Sequence, residues 1–308
     1  MDRFKWVFMM LLSIAVLALV GCERTNYPQL QLGELEPAVQ IRGSEEDANL
    51  KVALASITSP KESIIYYEEL LQYLEEKLDK PIKVIQRKTY KEVNDLIIAG
   101  EVDLAFICTY SYVQGREQFG LEPFLVPSVN GNTTYQSYII VPAGSPAEAF
   151  TDLKGKRFAF SDPDSTTGYL YPNWLVNKLG ETTETFFRST IFTYSHDNSI
   201  KAVADRVVDG AAIDGLVLDY IAEKQPVYAS LVKVIDKSTE FGSPPVVASP
   251  HLSQEERQKI WEILTSMHLD PDGMAILEKI RVEKFVPQND QAYDSIKSLA
   301  EEVGDNQP

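Results

Sequence analysis

The sequence is poor in the residues that bind transition metals. Its 308 residues include two cysteines and three histidines, and the histidines, at positions 196, 251 and 268, lie far apart with no cysteine nearby. Metal sites built from these ligands need them in closely spaced groups. The sequence therefore predicts no metal site, and we expect no cofactor.

An internal disulfide is also excluded. Cys22 belongs to the N-terminal segment discussed below, which leaves Cys108 without a partner. Cys108 ends an apolar run that is typical of a strand, so we interpret it as a small buried hydrophobic residue.

Basic residues are outnumbered. The chain has 29 lysines and arginines against 45 aspartates and glutamates, which gives a formal net charge of −16. Proteins that bind nucleic acid carry basic patches, so we exclude nucleic acid as a partner. An acidic chain that binds an anion must hold it with local dipoles and hydroxyl groups, because its long-range field repels the ion.

A hydrophobic run long enough to span a bilayer is lacking. A spanning helix needs about 20 apolar residues. The run 6–20 is shorter, follows the basic residues Arg3 and Lys5, and is followed by a glycine and Cys22. This pattern is similar to a bacterial lipoprotein signal, with an uncleaved membrane anchor as the alternative.

The lipoprotein interpretation divides the N-terminal region into two parts. We predict that residues 1–21 are a signal peptide, that Cys22 is lipidated, and that the polar residues 22–48 are a tether. The protein is then expected in the bacterial cell envelope, exported and anchored to a membrane by its lipid. The sequence does not indicate which membrane leaflet carries the protein.

Alternating strand and helix patterns fill the rest of the chain. The first half has strand-like runs at 50–56, 82–86 and 102–108, with helical spacing between them at 64–78 and 90–98. This order is typical of βαβ units with parallel strands. The pattern restarts at 157–160, so we predict an α/β fold of two lobes, each a mainly parallel sheet flanked by helices.

The lobes are predicted to be discontinuous in sequence. We place lobe 1 at residues 49–140 and 243–308 and lobe 2 at residues 141–242. Two crossings between lobes would create a hinged cleft. Ligands of such folds bind beyond the carboxyl ends of the strands and often between domains.

The polar turn 161–168 is the most informative stretch. It follows a predicted strand, and just before an apolar helical run it presents Ser165, Thr166, Thr167 and Gly168. A helix N-terminus offers unpaired N–H groups and the positive end of a dipole, which suit an oxyanion. Ser and Thr are also ordinary capping residues, but a cap needs one hydroxyl and this turn has three. We therefore predict an anion site.

Five further polar residues adjoin predicted strands: His196, Asp214, Tyr90, Tyr110 and Tyr135. An imidazole or a phenol can donate to an anion, and a carboxylate can accept from a protonated ligand oxygen. Each also has an ordinary structural role: the histidine and the aspartate as surface or capping residues, and the tyrosines as core residues.

Four segments together resemble a known family. They are the turn Ser-Asp-Pro-Asp-Ser-Thr-Thr-Gly-Tyr-Leu-Tyr-Pro at 161–172, His-Asp-Asn-Ser at 196–199, Val-Asp-Gly-Ala-Ala-Ile-Asp at 208–214 and Gly-Ser-Pro-Pro-Val-Val at 242–247. They resemble the signature turn, histidine loop, ligand-facing segment and return strand of phosphonate- and phosphite-binding proteins of ABC importers. The resemblance implies a type II, Venus-flytrap fold with a phosphorus oxyanion between the lobes.

The resemblance also implies roles for individual residues. Ser165, Thr166 and Thr167 would hold the phosphoryl oxygens with hydroxyls and backbone amides, and His196 would donate to the same group. In the first lobe, Tyr90 and Tyr135 match ligand tyrosines of the family. Tyr110 follows a strand at a point where the family has a ligand contact.

Two positions depart from the family pattern. Thr167 replaces a serine, which keeps the hydroxyl and adds a methyl group. Ser243 stands where relatives that bind an aminoalkyl phosphonate have an aspartate for the ammonium. These departures favour a smaller ligand: phosphite, phosphate, hypophosphite or methylphosphonate.

The function implied is that of a non-catalytic, monomeric binding protein that delivers its ligand to the permease and ATPase subunits of an ABC importer. One alternative keeps the fold as a ligand sensor for a membrane receptor. The other is a hydrolase with Ser165, His196 and Asp214 as a triad, which the absence of a G-x-S-x-G elbow around the serine disfavours.

Overall fold

The computed structural model describes residues 49–304. The predicted signal peptide, the lipidation site at Cys22 and the tether lie outside these residues, as does the end of the chain after Gly304. Within the described residues, no helix is both long and apolar enough to cross a membrane.

Strands and helices alternate along the described chain. The strands are β1 (Leu50–Leu54), β2 (Ile82–Gln86), β3 (Leu104–Phe106), β4 (Pro123–Ser128), β5 (Thr134–Tyr135), β6 (Ser137–Pro142), β7 (Arg157–Phe160), β8 (Ser189–Phe192), β9 (Gly210–Asp214), β10 (Val232–Lys237), β11 (Phe241–Gly242), β12 (Val246–Ala248) and β13 (Lys284–Val286). The α-helices are α1 (Pro60–Leu78), α2 (Tyr90–Ile98), α3 (Thr109–Phe119), α4 (Tyr171–Lys178), α5 (Thr183–Phe186), α6 (His196–Ala204), α7 (Gly215–Lys224), α8 (Pro226–Ser230), α9 (Gln254–Ser266), α10 (Pro271–Lys279) and α11 (Asp294–Val303). A π-helix spans Thr166–Leu170, and 3₁₀ turns span Phe150–Leu153, Met267–Leu269 and Asp290–Tyr293.

Two large sheets organise the molecule into two lobes. The first lobe is built on a six-stranded sheet in the order β13-β4-β12-β3-β1-β2, and the second on a five-stranded sheet in the order β10-β6-β9-β7-β8. The predicted two-lobed α/β architecture is therefore the one observed.

Each sheet is mixed rather than mainly parallel. The βαβ segments give the parallel pairs β1–β2, β1–β3, β7–β8 and β7–β9. The remaining pairs of both sheets are antiparallel, because β6, β10, β12 and β13 run in the opposite direction to their neighbours. The βαβ order predicts parallel pairing, and the strands joined by βαβ connections are indeed the ones that pair in parallel.

The chain passes between the lobes through a short ribbon. Strands β5 and β11 pair antiparallel to each other, with Tyr135 opposite Phe241, and form a separate two-stranded sheet. Strand β6 belongs entirely to the five-stranded sheet, so the predicted boundary at residue 140 falls inside a strand. The segment 135–142 has no Gly or Pro before its end, so no local signal marks the break between β5 and β6.

The C-terminal region contains two elements that the sequence pattern did not indicate, α10 and β13. Strand β13 completes the edge of the six-stranded sheet beside β4. Helix α11 contacts both lobes: Lys297 pairs with Glu117 of α3 at 3.1 Å, and Glu302 accepts from the Trp174 indole N–H of α4 at 2.8 Å. The predicted first-lobe region 243–308 therefore ends in a helix that packs against both lobes.

A cluster of phenylalanines fixes the strand that leads to the polar turn. Phe158 and Phe160 of β7 are buried, and the Phe158 ring stacks on Phe187 with ring centroids 4.4 Å apart. Phe150 and Phe186 stack beside them at 5.2 Å. Buried aromatic rings of this kind contribute heavily to core stability. The turn at 161–168 therefore starts from a rigid support.

Candidate functional site

The polar turn after β7 continues directly into the π-helix. Ser165 precedes that helix, and its hydroxyl accepts a hydrogen bond from the Gly168 N–H at 3.0 Å. The Ser165 carbonyl accepts from the N–H groups of Tyr169 and Leu170 at 3.2 and 2.9 Å. The capping role considered for this serine is therefore real. Short π-helical turns often occur at functional sites, and this one leaves the side chains of Thr166 and Thr167 buried.

Gly168 lets the turn approach two other segments closely. A Cβ atom at this position would lie 1.7 Å from the Ser161 hydroxyl oxygen and 3.0 Å from Cε1 of His196. No side chain fits in that space. The glycine is thus required for packing of the turn against the histidine loop.

His196 begins α6 and is held in one tautomer. Its Nδ1 accepts a hydrogen bond from the backbone N–H of Asp214 at 3.0 Å, so in the neutral ring the proton is on Nε2. Nε2 lies 3.4 Å from the Ser165 hydroxyl. Burial lowers the pKa of His196 to about 3, so the ring is a neutral N–H donor at physiological pH.

The turn is joined to the first lobe through hydroxyl groups. The Thr166 hydroxyl lies 2.6 Å from that of Thr109, which lies 2.6 Å from the Tyr135 hydroxyl. Thr109 is the first residue of α3, and sequence reasoning did not select it. It sits one position before the predicted Tyr110, at a strand end where hydroxyl residues were expected, so the signal was present but was assigned to the neighbouring tyrosine.

Tyr90 and Tyr110 are both buried. The Tyr90 N–H donates to the Asp162 carboxylate at 3.2 Å, across the lobes. Burial raises the pKa of Tyr90 well above its usual value, and the charges of Cys108, Asp162 and Asp214 raise it further. Tyr110 packs in the hydrophobic core, with its backbone N–H against the Cys108 sulfur.

We call the side chains of Tyr90, Thr109, Tyr135, Ser165, Thr166 and Thr167 the hydroxyl cluster. Several buried polar atoms in and beside it have no hydrogen-bond partner among the described residues: the hydroxyl oxygens of Tyr90, Thr167, Ser161, Ser195 and Ser243. An unpaired buried polar group costs about 1–3 kcal/mol. Five of them in one region of a folded protein point to a polar ligand that completes their hydrogen bonds.

The cluster offers donors without positive charge. In the described part of the chain, the hydrogen bonds of these groups lead to other hydroxyls, backbone N–H groups and the imidazole, with no lysine or arginine among the partners. No group of three or more His, Cys, Asp or Glu that could hold a metal occurs among residues 49–304. The arrangement therefore suits an anion bound by neutral dipoles.

Asp214 lies at the end of β9 and is buried. Burial raises its pKa to about 7, although the Leu216 N–H, which donates to the carboxylate at 2.8 Å, opposes the shift. Burial raises the pKa values of Tyr90 and Tyr135, and the charge of Asp214 raises them further. Near neutral pH this group can donate a hydrogen bond or accept one.

The geometry does not form a hydrolytic triad. In such a triad the carboxylate accepts from Nδ1–H of the histidine and orients it. Here Nδ1 of His196 is itself an acceptor, and its partner is the Asp214 backbone rather than the carboxylate. The Ser165 hydroxyl is engaged as a helix cap.

Other hydrogen bonds link the lobes beside the cluster. The His196 N–H donates to the Ile57 carbonyl at 2.9 Å, and the Ser59 N–H donates to the Asp197 carboxylate at 2.7 Å. Ile57 and Ser59 follow β1 of the first lobe, whereas His196 and Asp197 begin α6 of the second. The two lobes therefore meet directly around the site.

Fold and site together define a class: a two-lobed type II periplasmic binding protein with buried donors between its lobes. The model of the family described as "ABC transporter, phosphonate, periplasmic substrate-binding protein" matches residues 52–293. The chain belongs to this family of substrate-binding transport components. The hydrolase alternative is accordingly rejected.

The relatives agree with this assignment. The chain is 26% identical over 271 residues to the phosphonates-binding periplasmic protein of Escherichia coli (strain K12), covering 86% of this chain and 79% of the relative. It is 26% identical over 275 residues to the phosphate-import protein PhnD of Mycolicibacterium smegmatis, covering 82% of this chain and 86% of the relative.

Solved structures share the fold. A binding protein component of an ABC phosphonate transporter from Pseudomonas aeruginosa superposes with a TM-score of 0.77 at 23% identity, covering 81% of this chain and 84% of that one. PhnD1 from Prochlorococcus marinus, solved in complex with methylphosphonate, gives a TM-score of 0.75 at 19% identity, covering 83% and 98%.

The close approach at Gly168 leads to a first prediction. We expect Gly168→Ala to lower the melting temperature and to disorder the turn, because the added methyl group overlaps the Ser161 hydroxyl. The cost should be about 1–3 kcal/mol in unfolding free energy, measured by chemical denaturation. Gly144→Ala is the matched control, since nothing lies within 4 Å of a Cβ there. Equal stability of the two variants would contradict the prediction.

The pKa of Asp214 leads to a second prediction. Between the ordinary pKa of 3.8 and the folded value of about 7, the folded protein keeps a proton that the unfolded chain has lost. Stability therefore falls as pH rises through this window. Asp214→Asn keeps an oxygen for the Leu216 N–H and removes the charge. The unfolding free energy of Asp214→Asn relative to that of the parent should therefore increase between pH 4 and pH 8. The expected increase is on the order of 4 kcal/mol, because a change of one pKa unit corresponds to about 1.4 kcal/mol.

Denaturation curves across this pH range would measure the effect. Asp219→Asn, on the same helix α7, serves as the control for removal of a negative charge. If Asp214→Asn and Asp219→Asn show the same pH dependence as the parent, the buried carboxyl does not titrate as described.

Proposed function

We propose that this protein binds a small phosphorus oxyanion between its lobes and delivers it to the permease and ATPase of an ABC importer. The ligand class comprises phosphite, phosphate and phosphonates. The single observation that carries the proposal is the group of buried, unpaired hydroxyls around the turn 161–168. A tetrahedral oxyanion presents several acceptor oxygens at once, and so can satisfy donors that converge from both lobes.

We assign the ligand contacts as follows. The hydroxyls of Ser165, Thr166 and Thr167 and the amides of the turn up to Gly168 hold the phosphoryl oxygens. His196 donates from Nε2, since its Nδ1 is already an acceptor. From the first lobe Tyr90, Tyr110 and Tyr135 complete the shell, and we add Thr109, whose hydroxyl lies between Thr166 and Tyr135.

Asp214 gives the proposed site a preference for a protonated oxyanion. As a carboxylate it accepts a hydrogen bond from a P–OH group. Above the pKa of Asp214, sulfate, which has no proton, would leave the carboxylate facing a second anion, which costs several kcal/mol in a buried site. We therefore expect phosphate to bind in strong preference to sulfate at pH 8.

Ligand binding is proposed to hold the lobes together. The donors lie on both lobes, so an oxyanion between them adds contacts that exist only when the lobes meet. The ribbon of β5 and β11 is the natural hinge, because both connections between the sheets pass through it.

Calorimetry of a purified double variant tests the site. Thr166→Ala combined with His196→Ala removes a hydroxyl and the imidazole donor, and it should weaken phosphate or methylphosphonate binding at least a hundredfold, as expected for lost buried hydrogen bonds of about 1.5–3 kcal/mol each. Thr190→Ala with His251→Ala, both at exposed positions, is the matched control. Undiminished affinity of the first variant would reject the assignment.

We further propose that the mature protein is a monomer attached to the membrane by a lipid on Cys22. The supporting pattern is the basic start, the short apolar run and the cysteine that follows it. Cys22→Ser should prevent lipidation and move the protein from the membrane fraction to the aqueous fraction on detergent phase separation. Cys108→Ser, at a buried free thiol, is the control. Retention of the Cys22→Ser protein in the membrane fraction would favour an uncleaved anchor instead.

A further inference from the structure

A cavity borders Asp214, the residue whose backbone N–H donates to His196. Its volume is about 110 Å³, and it lies beyond the carboxyl ends of β1 and β3, between the first lobe and the start of α7. Ala55, Ile57 and Ile107 line it from the first lobe, and Leu216 and Val217 from the second.

Aromatic rings form one wall of this cavity. Tyr66 packs edge-on against Tyr67 and Tyr220, with ring centroids 4.8 and 5.1 Å apart, and Tyr67 lies 4.8 Å from Phe106. All four rings line the cavity. The surface offered to an occupant is therefore largely hydrocarbon.

The polar groups of the wall are mostly satisfied by the protein itself. The hydroxyls of Thr58 and Ser63 lie 2.9 Å apart, and Ser63 also donates to the Thr58 carbonyl at 3.0 Å. The Tyr66 hydroxyl donates to the Ile280 carbonyl at 2.7 Å. Among the described residues that line the cavity there is one carboxyl group, Asp214, and no lysine, arginine or histidine. The hydroxyls of Thr58, Ser63 and Tyr66 therefore have no spare donor for a polar occupant, which leaves the phenol groups of Tyr67 and Tyr220 as the donors of the wall.

Asp214 belongs to the cavity wall and is also linked to the residues of the cluster through His196. It lines the cavity, and its backbone N–H donates to Nδ1 of His196, whose Nε2 lies 3.4 Å from the Ser165 hydroxyl. Ile57, another residue of the cavity wall, accepts a hydrogen bond from the His196 N–H at 2.9 Å. The cavity therefore lies next to the hydroxyl cluster, with His196 bonded to its wall at two points.

We propose that the cavity receives an uncharged hydrocarbon substituent of the bound phosphonate, so that the protein prefers alkyl phosphonates of about four carbons to methylphosphonate. This inference rests on the proposed function, because the phosphorus group must occupy the hydroxyl cluster. An apolar cavity of roughly 150 Å³ can accommodate benzene, so the smaller volume here suits a butyl chain. It also revises the expectation of a small ligand that the position of Ser243 suggested.

Calorimetry of the unaltered protein with a matched ligand series tests the proposal. Each buried methylene should tighten binding about fourfold. We expect butylphosphonate to bind at least tenfold more tightly than methylphosphonate. We expect 3-hydroxypropylphosphonate and 3-aminopropylphosphonate, which have the same length, to bind more weakly than butylphosphonate.

The outcomes separate this proposal from the function on which it rests. Methylphosphonate binding without a preference for butylphosphonate would overturn the cavity assignment and leave the proposed function in place. Tighter binding of 3-aminopropylphosphonate would also overturn it, since an ammonium facing Asp214 would then be the recognised group. If neither phosphate nor the two alkyl phosphonates bind, the proposed function and the cavity assignment are both rejected.

A variant pair locates the effect in the cavity. Leu216→Trp fills the space from α7 and should abolish the preference for butylphosphonate while methylphosphonate affinity stays within about threefold, since the added ring occupies only the substituent's volume. Leu218→Trp, on the same helix but away from the cavity, is the control and should keep the preference. A preference that survives in Leu216→Trp would contradict the proposal. The wild-type ligand series decides the matter if the variant fails to fold.

Discussion

The hydrogen-bonded chain from Thr166 through Thr109 to Tyr135 is the contact on which the site depends. Both links are 2.6 Å long, and they connect the turn of the second lobe to a helix start and a hinge strand of the first. Hydroxyls can donate and accept, so this chain can reverse its direction when an anion demands donors. The lobes are thereby joined by groups that a ligand can recruit without breaking the contact.

The hydrogen-bond donors of the candidate site are neutral groups rather than lysine or arginine side chains. In a protein of net charge −16, a buried lysine or arginine without an anion would carry a large desolvation cost. Neutral donors avoid that cost, and burial keeps them strong because water does not compete. The Asp214 N–H completes the arrangement: by occupying Nδ1 of His196 it leaves Nε2–H directed toward Ser165. The donor is set by the backbone and does not depend on pH near neutrality.

Local sequence patterns predict short-range features better than long-range packing. The turn with Ser165 and Thr166, the histidine loop and Asp214 were selected because each adjoins a strand and carries an unusual polar pattern, and the structure brings Ser165, His196 and Asp214 close together. Thr109 was passed over because its role depends on Thr166, 57 positions away. The lobe boundary predicted at residue 140 lies inside β6 because the change of sheet between β5 and β6 has no local breaker. Strand β13 was missed because its pairing with β4 depends on distant residues.

Asp214 shows why the identity of the ligand cannot be read from the hydroxyl cluster alone. On one side it faces groups that are buried and unpaired, which select an acceptor-rich anion. On the other side lies a cavity wall made largely of aromatic rings and aliphatic side chains, which favours an apolar substituent. A carboxyl whose pKa is raised to about 7 by burial can remain between these environments without a counter-ion. In the proposed arrangement, recognition of the phosphorus group and of its substituent therefore divides at this residue, and each can change through substitutions on its own side.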